Sequence, residues 1–114
     1  MGKVIITISK NRKVKLSRDF IGVCGEQNHE ALLVDFDKPA DFIDGEASVV
    51  IEKKNGDKKP VKLEKQEDGN YYKTDITSDF TDCAGNIKMQ VVIQPAESKT
   101  VKSEVFTMIC KESV

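Results

Sequence analysis

The feature that most constrains this chain is a hydrophobic period of two. Val4, Ile6 and Ile8 alternate with other side chains, as do Leu32, Val34 and Phe36, then Ala47, Val49 and Ile51. The pattern returns at Val61 and Leu63, at Tyr72, Thr74 and Ile76, at Ile87, Met89, Val91 and Ile93, and at Phe106, Met108 and Cys110. Successive side chains on a strand point to opposite faces, so each run marks a strand with one buried side. Seven such runs separated by turn signals predict an all-β sandwich of about seven antiparallel strands.

The turns have local causes. Asn55-Gly56 lies between the strands at 46–54 and 57–65, and both residues tolerate positive φ, which predicts a hairpin. Asp68-Gly69-Asn70 separates the next pair, and Pro39 with Asp44-Gly45 breaks the chain before Glu46. Ala84-Gly85-Asn86 precedes the long strand that ends at Pro95. One polar segment does not fit a strand. Ile76, Phe80 and Cys83 fall at helical spacing behind the N-cap candidates Thr77, Ser78 and Asp79. This predicts a short helical crossover near residues 77–83, with a continuous loop as the competing reading. Residues 9–21 read either as a strand carrying Val14 and Leu16 or as a connector. At 114 residues the chain makes a single domain, 1–114, with a basic strand or arm over residues 1–18.

Composition narrows the class. With 32% charged and 39% hydrophobic residues, the chain is too charged for a membrane protein and too apolar for a disordered one. No apolar run approaches the roughly 18 residues of a membrane-spanning helix. The formal net charge of −1 hides an uneven layout. Residues 1–18 hold Lys3, Lys10, Arg12, Lys13, Lys15 and Arg18 and no acid. Seven acids against Lys38 fill 26–46, and six lysines against Asp57 and Glu64 fill 53–65. Such blocks suit solvated faces or a bipolar docking surface, and Lys10, Arg12, Lys13, Lys15 and Arg18 are the candidate electrostatic docking residues. No aromatic residue interrupts the basic stretch to stack on bases, which disfavours nucleic acid as a partner.

Little points to catalysis or to a cofactor. Cys24, Cys83 and Cys110 form no Cys-x-x-Cys pair, and the single histidine, His29, would need ligands from distant segments to complete a zinc site. Cys24 and His29 are close in sequence, but catalytic pairs meet from separate segments. The acids Asp35, Asp37, Asp41 and Asp44 lack the glycine-containing calcium loop with its closing glutamate. No metal, cofactor or enzymatic role is expected.

The order of these features resembles a known family. Gly25-Glu26-Gln27-Asn28 leads into the strand at 29–36, and an acidic loop with Pro39 follows. Then come the Asn-Gly hairpin, Gly69-Asn70-Tyr71-Tyr72, a Thr/Ser/Asp crossover, Gly85, the strand at 87–94 and the final Ser103-Glu104-Val105-Phe106-Thr107-Met108. Over residues 20–111 this layout resembles the N-terminal immunoglobulin-like domain of the baseplate upper proteins of Gram-positive phages and prophages, and related small tail and neck proteins. The resemblance implies an immunoglobulin-like sandwich that attaches to a tail or baseplate core, often as a trimer. It implies a location in the virion after assembly in the bacterial cytoplasm, with other virion proteins as partners. The chain stops at Val114, without the helical linker and distal domains of that family, which favours an adaptor or decoration subunit.

The alternation supplies a candidate interface for such a role. Ile5, Leu33, Val50, Val92, Val105 and Ile109 fall on the outward sides of their strands and would form a protein-contact patch if they gathered. The competing class is a carbohydrate- or cell-surface-binding module. Its best residues are Tyr71 and Tyr72, of which at least one must point inward.

Overall fold

The computed structural model describes residues 3–24, 30–54, 56–82 and 84–112. The strands are β1 (Lys3–Ile8), β2 (Val14–Leu16), β3 (Phe20–Val23), β4 (Ala31–Phe36), β5 (Glu46–Glu52) and β6 (Lys58–Lys65). They continue as β7 (Tyr72–Asp75), β8 (Gly85–Gln94), β9 (Val101–Lys102) and β10 (Phe106–Lys111), with one short helix, α1 (Ser78–Thr81), after β7. A 3₁₀ turn at Pro39–Asp41 interrupts the β4–β5 connection.

The strands form one path in the order β2-β1-β4-β7-β6-β5-β8-β10-β3, with β9 added beside β8. The path curls into two layers. Strand β6 makes the bend: its Ala47–Val50 partners run from Leu63 back to Pro60, whereas Glu64 and Lys65 pair with Lys73 and Tyr72 of β7. One layer holds β2, β1, β4 and β7, and the other holds β5, β8, β10, β3 and β9. The shortest dimension is 20 Å, which accommodates two sheets stacked about 10 Å apart with their side chains.

The inward residues are those the alternation selects. Val4, Ile6, Leu32, Val34, Val49 and Ile51 have no exposed surface, and Met89, Val91, Ile93, Met108 and Cys110 are within 2% of it. All belong to one core cluster, so the layers share a single interior. The amino-terminal stretch is part of that core, because Val4, Ile6 and Ile8 are buried and β1 pairs with both β2 and β4.

The all-β sandwich holds, and the structure extends it. Ten strands are present among the described residues, and two pairings are parallel: β1 with β4 and β3 with β10. Strand β2 realises the strand reading of Val14 and Leu16, whereas β3 and β9, of four and two residues, show no alternation of their own. The open segment at 9–21 contains β2 and the start of β3.

The local signals act as their chemistry requires. In the β5–β6 hairpin, Lys53 N–H donates to Asp57 (2.8 Å) and Gly56 N–H donates back to the Lys53 carbonyl (2.9 Å). Gly56 has φ of 90°, a left-handed conformation that glycine adopts without steric cost. Asn55 lies outside the described residues. The predicted crossover is α1, which carries the chain from one layer to the other. Thr77 caps it by accepting the Asp79 N–H, and Phe80 and Thr81 are buried; Cys83 lies outside the described residues. Gly45 is fixed by close approach: a Cβ there would lie 2.5 Å from the Gln94 carbonyl oxygen.

Strand β6 has an open edge along its first half, since β7 pairs only with its end. The Lys53–Asp57 bond sets the antiparallel alternation, which turns the backbone nitrogens of residues 58, 60 and 62 away from β5. The middle one is Pro60, which has no N–H to offer, and lysines flank it.

Candidate functional site

Register places the six outward apolar candidates on two opposite faces. Ile5 pairs with Leu33 on the β1 face. Val50 lies diagonal to Val92 on the β8 face, because Val50 pairs with Gln90 and Ser48 with Val92. Val105 joins Val50 and Gln90 around a shallow depression, and Ile109 lies further along β10 beside Phe20. A single six-residue patch therefore does not form. The four β8-face residues share a surface, and Ile5 and Leu33 do not belong to it.

The two faces differ in exposure. Among the described residues, Val105 (57%) and Ile109 (39%) are the exposed large apolar side chains, and both lie on the β8 face. Ile5 and Leu33 are half-buried, as are Val50 and Val92, so the difference between the faces rests on Val105 and Ile109. Pro60, opposite Val50, adds a further exposed apolar group to the β8 face.

They also differ in charge. The outward positions of the β8 face carry Lys58, Lys88, Lys102 and Lys111 against Glu46 and Glu52, while Lys62, opposite Ser48, borders both faces because it shares a depression with Glu64, Lys73 and Asp75. Glu52 is flanked in register by Lys58 and Lys88, and Glu46 lies at the far end opposite Gln94. On the β1 face, Lys3, Lys15 and Lys73 face Asp35, Asp75 and Glu64 in a balanced mosaic. In the sequence, Lys58 belongs to the basic block at 53–65, and nothing linked it to Lys88, Lys102 and Lys111. Combining the Asn-Gly hairpin register with the phase of β8 would have placed Lys58 and Lys88 beside Val50.

The basic amino-terminal set also divides. Lys10, Arg12 and Lys13 occupy the β1–β2 turn, where Arg12 has φ of 72° and its guanidinium donates to the Lys10 carbonyl (2.9 Å). This turn is clasped to the corner before β10. Glu104 N–H donates to the Arg12 carbonyl (2.9 Å), and the Glu104 carboxylate accepts the Val14 N–H (2.6 Å). The turn therefore sits next to Val105. Lys15 faces outward on the β1 side, across from Thr7.

Arg18 has a different role. Its guanidinium makes a two-pronged ion pair with Glu30 (2.8 and 2.9 Å), and its Nε donates to the Phe20 carbonyl (3.0 Å). It also stacks 4.2 Å from the Phe20 ring centre, with Lys111 4.0 Å from the same ring. The Arg18 hydrogen bond holds the Glu30 carboxyl below its ordinary range. Arg18 ties β3 to the entrance of β4 and so joins the two layers.

Other candidates resolve as follows. Tyr72 is buried, and its hydroxyl donates to the Ile43 carbonyl (2.6 Å). Burial pushes its phenol above the usual range, and Phe42 stacks on its ring at 5.6 Å. Tyr71 is half-buried and donates to Asp68 (3.0 Å), a hydrogen bond that raises its phenol. Neither tyrosine presents a free ring face paired with the other. Lys53 donates to the Asp79 carbonyl (2.6 Å) and Asp82 (2.7 Å), while Lys59 pairs with Asp79, which raises the lysine's affinity for its proton. These bonds fasten α1 to the hairpin. Cys24 is half-buried and Cys110 is buried in the core. His29 and Cys83 lie outside the described residues. Among the described residues, no group of three or more Cys, His, Asp or Glu side chains is placed to hold a metal ion.

With this geometry in view, comparison with known proteins is informative for fold. No family model matches the chain, and no curated protein does. Among solved structures, the chain is similar to one described as the N-terminal domain of phage TP901-1 ORF48, with a TM-score of 0.69 and 11% sequence identity. The superposition covers 97% of this chain and 99% of that one. At this identity the likeness is one of fold: both chains build the same whole domain.

Proposed function

We propose that this protein is a phage or prophage virion structural protein without enzymatic activity. In this reading it is an adaptor or decoration subunit of the tail or baseplate that resides in the particle and docks on other virion proteins or self-associates, a trimer being one form open to it. The observation that carries the reading is the fold match to a phage domain across nearly the whole of both chains. The β8 face adds support, because exposed apolar side chains on a charged face suit a protein contact better than a solvated surface.

Mass spectrometry of particles purified from the encoding strain tests this proposal. The expected result is the chain present at a fixed ratio to the tail proteins through density-gradient purification. Purified particles of that strain that lack the chain would overturn the reading. Light scattering on the purified chain tests self-association, and a monomer at all concentrations would remove the oligomer from the proposal.

A further inference from the structure

Resting on the reading as a virion docking protein, we propose that the β8 face is the docking surface and that its partner is an acidic protein surface presenting an apolar side chain. Val105 and Ile109 are the exposed large apolar side chains among the described residues, and both stand on this face. Val50 and Gln90 line the depression beside Val105, giving an apolar knob a place to seat.

The charge around that centre selects the partner. Four outward lysines, with Lys62 at the border, oppose two glutamates, and Glu52 is already flanked by Lys58 and Lys88. The Glu104 clasp brings the β1–β2 turn, which carries Lys10, Arg12 and Lys13, to the Val105 end, together with the charge of Glu104 itself. A complementary surface is therefore acidic, and such pairing speeds encounter and rejects wrong partners. The same argument opposes a second copy meeting this one face to face, because lysines would oppose lysines. A nucleic acid would leave Val105 and Ile109 without apolar contact. Area permits the role: a standard interface takes about 800 Å² from each partner, roughly a ninth of this chain's 7063 Å².

The test measures binding of the full chain to each purified structural protein encoded beside it, immobilised one at a time. Three variants are compared with wild type: Val105→Glu, the double reversal Lys88→Glu/Lys102→Glu, and Lys73→Glu on the β1 face as control. All change exposed side chains. The expected result is one identified acidic partner whose affinity falls at least about tenfold with Val105→Glu. Affinity also falls with the double reversal and with added salt, and is unchanged by Lys73→Glu. A partner that binds all variants equally would overturn the docking face while leaving the virion reading intact. Absence of any binding partner would overturn both. Self-association abolished by Val105→Glu would make a second copy the occupant and overturn the acidic partner.

Discussion

The two outer faces of this sandwich are built from the same kind of alternating strand, yet they present different surfaces. The β1 face balances three lysines against three acids, and its apolar pair, Ile5 and Leu33, is half-buried. The β8 face carries a lysine excess and the most exposed large apolar side chains among the described residues. Outward phase alone does not make an interface. What matters is whether neighbouring strands cover the outward residue and whether the surrounding charges cancel.

The contrast presupposes one cooperative unit, and Phe80 tests that premise with the largest effect. Phe80 has no exposed surface and belongs to the shared core. Phe80→Ala should cost about 3–5 kcal/mol. Chemical denaturation followed by far-ultraviolet dichroism and by tyrosine fluorescence should show one coincident transition at lower denaturant. Separate transitions would mean that the two layers are independent.

The half-buried and exposed apolar residues should separate next. Ile5→Ser should destabilise by about 1–2 kcal/mol, because it removes partly buried apolar surface. Val105→Ser should stay within about 0.5 kcal/mol of wild type, as surface substitutions do. Equal costs in thermal denaturation would erase the distinction between the faces.

The joints between the layers give smaller effects. Glu104→Ala removes the acceptor of the Val14 N–H and should cost about 1 kcal/mol. Hydrogen exchange should show faster exchange at Val14 and unchanged protection at Val34. Arg18→Met should expose a pH dependence. Glu30 titrates below its ordinary value of 4.5 in the folded chain because Arg18 bonds its charged form. A depressed carboxyl contributes stability that is fully present above the unfolded value and lost as pH falls through the folded one. The gap between wild type and Arg18→Met should therefore be constant above pH 4.5 and shrink as the solution is acidified further. A gap that is flat through this range would show that the pair is electrostatically idle.

The sequence made the core legible because burial in a two-layer β protein repeats every second residue. Val4, Leu32, Val49, Met89 and Met108 were identifiable without coordinates, and a short helical crossover was one of two readings, its cap left open among Thr77, Ser78 and Asp79. Strand β3 was not identifiable, since Phe20–Val23 is a strand by virtue of a distant partner rather than its own pattern. The candidate surface was half legible. Alternation assigns each outward side chain, but grouping them requires knowing which strands are neighbours. Arg18 shows the same limit: its +1 counts as surface charge until Glu30 is brought against it.

The parallel pairing of β3 with β10 has a consequence for the order of folding. Phe20 finds its partner strand at Ile109, almost a full chain length later. During synthesis β3 must wait for nearly everything else to emerge, and closing so long a loop is entropically slow. Newly made chains thus pass through a stage in which β3 is without its β10 partner and open to wrong strands. For this sandwich, the last strand pairing made is the one between the two paired strands furthest apart in the chain.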